Sequence, residues 1–374
     1  MKIGILTLPL HTNYGGILQA YALQTVLERM GHECIIINRD IHQKIKFLPF
    51  FMSFVKRVFK RLMRRTSEPL FKEYKFYKEY PTISQNTDKF IKKNIHVMNI
   101  YSYDTIIGDF DGFVVGSDQV WRPKYFGKNI IQNAYLAFAS RLSNCKRIAY
   151  AASFGSDNWE YTKKQTTVCS RLAKQFNYVS VREKSGVDLC RKYLKIDATV
   201  VLDPTMLLSQ TDYDNIIDSI DTETPNGDLL TYILNPNNRT DSVINSIAKV
   251  LSLIPNVSNS RYEEDGAPLE EKIQIPVEQW LRNFRDAKFV VTDSFHACVF
   301  SILFHKEFIV IGNKERGLSR FETLLGIFGL QDRMTDKIDE ASNIINRNID
   351  WDMVQNILER EKDKSLNYLI ESLM

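Results

Sequence analysis

The chain has 374 residues, five cysteines and a formal net charge of +4, with 49 Lys and Arg against 45 Asp and Glu. That length exceeds one ordinary core and predicts two domains. No apolar stretch is long enough to span a bilayer, and no aromatic platform or nucleic-acid motif accompanies the basic residues, so neither a membrane span nor a nucleic-acid partner is expected.

Met1-Lys-Ile-Gly-Ile-Leu-Thr7 reads as a first strand, entered so directly that no signal peptide is expected. His11-Thr-Asn13-Tyr-Gly15-Gly16 then turns into a helical run from Ile17 to Met30, stopped by Gly31, and Cys34 to Asn38 is the next strand. The glycine pair sits at the first β-to-α turn, where backbone can approach a ligand closely. It is not the G-x-G-x-x-G fingerprint, so no nicotinamide cofactor is indicated.

Between Ile41 and Ser67 there are eight Lys or Arg residues and no acid. At the helical period, Lys56, Arg57, Lys60, Arg61, Arg64 and Arg65 fall opposite Phe51, Phe54, Val55, Val58, Phe59, Leu62 and Met63. Two readings fit: a helix lying on an anionic membrane surface, or one packed on its own domain with a solvated basic face.

Strand after strand then ends on polar residues. Phe113-Val-Val runs into Ser117-Asp118 and Trp121, Ile148-Ala-Tyr-Ala-Ala into Ser153, Tyr178-Val-Ser-Val into Arg182-Glu183, Val200-Val-Leu into Asp203-Pro204, and Leu229 to Leu234 into Asn235. Phe289-Val-Val is followed by the corner Thr292-Asp293-Ser294 and an apolar helix carrying His296 in its first turn. Phe308-Ile-Val-Ile leads to Gly312 and then to Lys314, Arg316 and Arg320. Continuous apolar strands alternating with helices predict the α/β class with mostly parallel sheets. Turn chemistry explains many of the polar ends. Trp121, Arg182 and His296 are not turn residues and are the stronger site candidates. His296 fits two roles, a proton donor beside an anion at a helix N-terminus or a histidine satisfying local hydrogen bonds. The cysteines (Cys34, Cys145, Cys169, Cys190 and Cys298) show no metal spacing and read as reduced core residues of a cytoplasmic protein.

In order along the chain, Asn13-Tyr-Gly-Gly-Ile-Leu-Gln-Ala-Tyr-Ala-Leu-Gln24, Val115-Gly-Ser-Asp-Gln-Val-Trp121, Ala149-Tyr-Ala-Ala-Ser-Phe-Gly155, Ser180-Val-Arg-Glu183, Leu202-Asp-Pro204 and Asp293-Ser-Phe-His296 resemble the polysaccharide pyruvyl transferase family. The resemblance spans nearly everything except residues 41–100 and the C-terminal tail. It implies two Rossmann-like domains facing a central cleft, as in glycosyltransferases of the B type. It also implies transfer of the enolpyruvyl-derived group of phosphoenolpyruvate to sugar hydroxyls of a surface-polysaccharide precursor, usually closing a cyclic ketal, with no cofactor and no metal.

For that chemistry, His296 is the expected general acid and Asp118 or Glu183 the base. Arg182 is expected to grip an oxyanion of the donor, with Ser294 at the helix N-terminus. Asn13, Gly15, Gly16, Ser117, Trp121 and Ser153 complete the expected binding set. Members of the family often carry Arg two residues before the histidine, where this chain has Ser294. Lys314, Arg316 or Arg320 is expected to supply the missing cation. Two other functions fit the sequence, a nucleotide-sugar glycosyltransferase of the same architecture and a non-catalytic membrane-associated subunit of polysaccharide assembly. The expected partners are phosphoenolpyruvate, a lipid- or nucleotide-linked sugar acceptor and, through residues 51–65, the inner face of a plasma membrane. Domain limits are expected at residues 1–208, with 41–100 as an insertion, at 222–333, and at 334–374 for a helical tail returning across the N-terminal domain.

Overall fold

The computed structural model describes residues 1–39, 63, 72–106, 110–142, 145–262, 264, 266–312, 317–335 and 344–374. Lys314, Arg316 and all of the amphipathic segment 51–65 except the exposed Met63 lie outside them.

The strands form two sheets in which every pairing is parallel. The first contains β1 (Lys2–Leu6), β2 (Glu33–Arg39), β3 (Val97–Ile100), β4 (Gly112–Val115), β5 (Lys146–Ala152), β6 (Tyr178–Val181) and β7 (Thr199–Val200), in the order β3-β2-β1-β4-β5-β6-β7. The second contains β8 (Leu229–Tyr232), β9 (Pro255–Val257), β10 (Phe289–Thr292), β11 (Glu307–Ile311) and β12 (Met334–Thr335), in the order β12-β11-β10-β8-β9. Helices cover both faces, which is why β4, β8 and β10 are buried at every position.

Each order reverses direction once, between β1 and β4 in the first sheet and between β8 and β10 in the second. A doubly wound sheet opens its ligand crevice at such a switch point, beyond the carboxyl ends of the strands. The helix after β1, α1 (Tyr14–Arg29), starts there because Asn13 caps it, its side chain accepting from the Gly16 N–H at 3.2 Å. Gly31, at φ 87°, follows its end in a conformation that favours glycine.

The two halves share one core. Tyr14 stacks on Trp280 at 5.2 Å between ring centres and donates its hydroxyl to the Ile275 carbonyl at 3.0 Å. Trp280, in α2 (Val277–Asp286), meets Phe300 of α3 (Phe295–Leu303) edge-on at 5.3 Å, and all nine residues of α3 are buried. The last helix, α4 (Trp351–Leu373), returns to the first sheet: the Leu202 N–H donates to Ser365 Oγ at 3.0 Å, and Tyr368 lies against Tyr150 and Tyr178. Among the described residues no helix is long and apolar enough to cross a membrane.

Two features depart from the sequence reading. Residues 97–100, expected within an insertion, are the edge strand β3 paired with β2. The short strands β9 and β12 have no sequence counterpart because three residues and two residues carry no readable alternation.

An ion pair also ties α1 across the molecule. Arg29 grips Asp212 at 2.6 Å. Burial pushes the Asp212 carboxyl up, but Arg29 and the Ser209 N–H and hydroxyl outweigh it and hold it at about 2, below the ordinary value. A depressed folded-state pKa adds stability above the unfolded value, about 4, and that stability is lost as pH falls through the folded one. Urea midpoints at pH 5 and pH 2 should therefore drop further for the wild type than for Asp212→Asn. Equal drops would show that the pair does not stabilise the fold.

Candidate active site

The carboxyl ends of β4, β5, β6 and β7 bring Ser117, Asp118, Ser153, Arg182, Glu183 and Asp203 to one edge, and the turn after β10 brings Ser294 to His296 against them. Asp203 is the hub. Its Oδ2 accepts from Arg182 Nη1 at 2.6 Å and Ser117 Oγ at 3.1 Å, and lies 3.6 Å from His296 Nε2. Its Oδ1 accepts from the Thr205 N–H and hydroxyl at 3.1 and 2.7 Å. Burial pushes the Asp203 carboxyl up, yet His296 and Arg182 overcome that and hold it well below the usual carboxylate range. It therefore stays an anion.

Arg182 is held at both tips of its fork and over one face. Nη1 serves Asp203, Nη2 donates to Asp118 Oδ1 at 3.3 Å, and the guanidinium lies 4.2 Å from the centre of the Phe295 ring. Burial lowers its pKa, but Asp203, Asp118 and Glu183 more than reverse this. Its Nε is buried with no partner among the described residues. Sequence reasoning gives this fork to a bound donor; the structure shows both Nη atoms committed to protein carboxylates. Asp118 takes up a left-handed backbone, φ 54°, which Asp tolerates better than most residues.

Arg320, from the helix Ser319–Phe328, lies 5.6 Å from the same Phe295 ring, so two arginines share one aromatic side chain. Burial and then the charge of Arg182 lower its pKa to about 10, with Asp118 and Glu183 acting the other way. It remains a cation at neutral pH. Glu183 is buried too: Oε1 accepts from Ser153 Oγ at 3.0 Å and the Phe154 N–H at 2.9 Å, while Oε2 has no partner among the described residues. Burial raises its carboxyl above the ordinary value against the pull of Arg182 and Arg320.

His296 meets the N-terminal half directly. A β-carbon on Gly15 would overlap the Nδ1 edge of its ring, so the glycine is what lets the β1–α1 turn approach the imidazole. Ser294 caps α3, its Oγ 3.5 Å from the Ala297 N–H. Two further contacts close the halves nearby: a β-carbon on Gly317 would strike the Gly155 carbonyl, and the Lys184 N–H donates to Thr323 Oγ1 at 3.1 Å.

The other expected residues divide. Ser117 and Ser153 belong to the network above, while Asn13 and Gly16 form the α1 cap. Trp121 does not face this cluster. It is fully buried, donating Nε1 to the Ala134 carbonyl at 3.0 Å and stacking on Tyr135 at 5.0 Å, so its role here is core packing. Asp203 and Phe295 were not among the expected site residues. An acid closing the apolar run Val200-Val-Leu was the available signal for Asp203; a phenylalanine in an apolar helix gave none for Phe295.

The family model described as polysaccharide pyruvyl transferase matches residues 13–315. Among solved structures, the chain is similar to UDP-GlcNAc 2-epimerase from Neisseria meningitidis bound to UDP-GlcNAc, with TM-score 0.50 and 10% identity over 100% of this chain and 99% of that one. It is similar also to Arabidopsis thaliana UGT89C1 complexed with UDP-L-rhamnose, with TM-score 0.50 and 7% identity over 100% of this chain and 99% of that one. At such identities the likeness is one of fold, two doubly wound halves around a cleft. No curated sequence matches the chain.

Proposed function

The chain belongs to the polysaccharide pyruvyl transferase family, and from that premise we propose that it moves the pyruvyl group of phosphoenolpyruvate onto a sugar of a surface-polysaccharide precursor. One observation carries the reading: His296 and Arg182 meet at Asp203, a carboxylate held ionised, and Arg320 shares the Phe295 ring with Arg182. Phosphoenolpyruvate presents a carboxylate and a phosphate, and the site offers the Arg320 guanidinium and the first turn of α3. Arg320 takes the place of the arginine that Ser294 lacks, and Arg182 is a positioning residue that sets Asp203 and Phe295.

His296 gives a proton to the methylene carbon of the donor, which makes C2 an oxocarbenium-like centre. A sugar hydroxyl adds to C2 and loses its proton to a carboxylate. Glu183, whose carboxyl burial raises and whose Oε2 has no partner among the described residues, is the better placed base, since Asp118 is tied to Arg182. The C2–O bond to phosphate then breaks, a second hydroxyl adds, and its proton leaves with the products, a ketal and inorganic phosphate. Asp203 lies 3.6 Å from His296 Nε2 and orients the ring for transfer. The basic and apolar faces in the sequence of residues 51–65 support a working position at an anionic membrane surface, where lipid-linked acceptors are displayed.

Phosphate release from phosphoenolpyruvate across a panel of sugar acceptors tests the reading. His296→Ala should lower turnover about a hundredfold with donor affinity by calorimetry nearly unchanged. Unchanged turnover would remove His296 from the mechanism. The second reading, a nucleotide-sugar transferase, is supported by fold alone and predicts release of a nucleotide instead of phosphate.

A further inference from the structure

Away from His296, a depression of about 240 Å³ opens between Arg39, Tyr101, Ser102, Asp104, Gln132 and Asn133. Its volume holds about eight waters at liquid density, the scale of one sugar ring. Arg39 ends β2 and Tyr101 follows β3, so the depression lies on the same carboxyl edge as the reacting groups. Adjacent strands are about 4.8 Å apart, which places it roughly 5–10 Å along that edge from β1, whose following turn meets His296. The intervening segment is anchored to the same wall: the Leu10 N–H donates to Asn38 Oδ1 at 2.9 Å, and Asn38 Nδ2 to Asn99 Oδ1 at 2.8 Å.

The lining is the kind that recognises carbohydrate. Tyr101 is 73% exposed, an unusual place for a ring of its size, and offers a flat apolar face to the C–H side of a sugar. Gln132 and Asn133 carry planar amides that both donate and accept, as vicinal hydroxyls do. Arg39 fixes the floor by donating from Nη2 to the Phe126 carbonyl at 3.1 Å, while its Nε has no partner among the described residues. Five polar side chains beside two tyrosines give the depression many hydroxyl partners and a ring surface to set them against.

We infer that this depression is a subsite for a non-reacting sugar ring of the acceptor, one or two residues along the chain from the ring that receives the pyruvyl group. The inference rests on the transferase reading for the word acceptor, but the subsite itself is testable without turnover. Denaturant midpoints of each Tyr101 variant, measured alongside, separate an effect on the fold from one on binding.

The probe is an array of immobilised mono-, di- and trisaccharides, neutral and uronate-containing, read with wild type, Tyr101→Ala and Tyr101→Trp. Wild type should be retained on one or more di- or trisaccharides. Tyr101→Ala should lose that retention about tenfold, and Tyr101→Trp should keep it. Retention of Tyr101→Ala at the wild-type level overturns the subsite, as does a wild type that binds no saccharide on the array. If Tyr101-dependent retention is found but wild type releases no phosphate from phosphoenolpyruvate with the retained sugars, the subsite stands and the pyruvyl-transfer reading falls.

Discussion

Asp203→Asn is expected to cost about 3 kcal/mol of stability and to reduce turnover about a thousandfold. The side chain keeps its shape, so neither effect is one of packing. The amide removes the charge that Arg182 Nη1 meets at 2.6 Å and that faces His296 Nε2 at 3.6 Å. It leaves a buried guanidinium with only Asp118 close at hand, at 3.3 Å. Losing one partner of a buried pair is costly because the other cannot regain water. His296 loses the carboxylate that faces its Nε2, so the ring that delivers the proton is no longer held in an anionic setting. Denaturant midpoints and phosphate release measure the two effects separately. A wild-type midpoint in Asp203→Asn would show that Asp118 alone satisfies Arg182, and Asp203 would then be peripheral.

Gly15→Ala should reduce turnover about a hundredfold and lower stability by about 1–2 kcal/mol, because overpacking against a buried ring outweighs the gain in helix propensity. Gly15 lies in the first turn of α1, where alanine is the better helix former by up to about 1 kcal/mol. Its β-carbon would nonetheless overlap the His296 ring. The imidazole must rotate or the turn must retreat, and a displacement near 1 Å at a proton donor is enough for that loss. Melting temperature and turnover measured on the same sample decide the matter. Full activity would mean that the working position of His296 lies away from Gly15.

These two residues show what the sequence made legible. Gly15 announced itself as a close approach, because a glycine pair at the first β-to-α turn has few other uses. What approaches it is His296, from more than 280 residues away, and no local pattern records such a partner. The long apolar strands were legible because burial on both faces removes alternation and leaves runs such as Phe289-Val-Val. β9 and β12 were not, since their pairing comes from neighbours already in place. At the site, residue type was informative and orientation was not. Arg182 read correctly as a strand-end cation, but its engagement with Asp118 and Asp203 depends on three strand ends meeting at the sheet edge. Trp121 reads as a site residue because turn chemistry does not explain it, whereas its ring turns into the core toward Ala134 and Tyr135.

The return of α4 to the first sheet has a consequence for biogenesis. Synthesis delivers the strands of that sheet well before residues 351–373, with the whole second sheet made in between. Until α4 emerges, Tyr150 and Tyr178 lack the Tyr368 ring, and the Leu202 N–H lacks the Ser365 hydroxyl. The half that begins first on the ribosome is thus completed last, leaving an apolar face open to chaperones, or to another nascent chain, throughout translation of the other half.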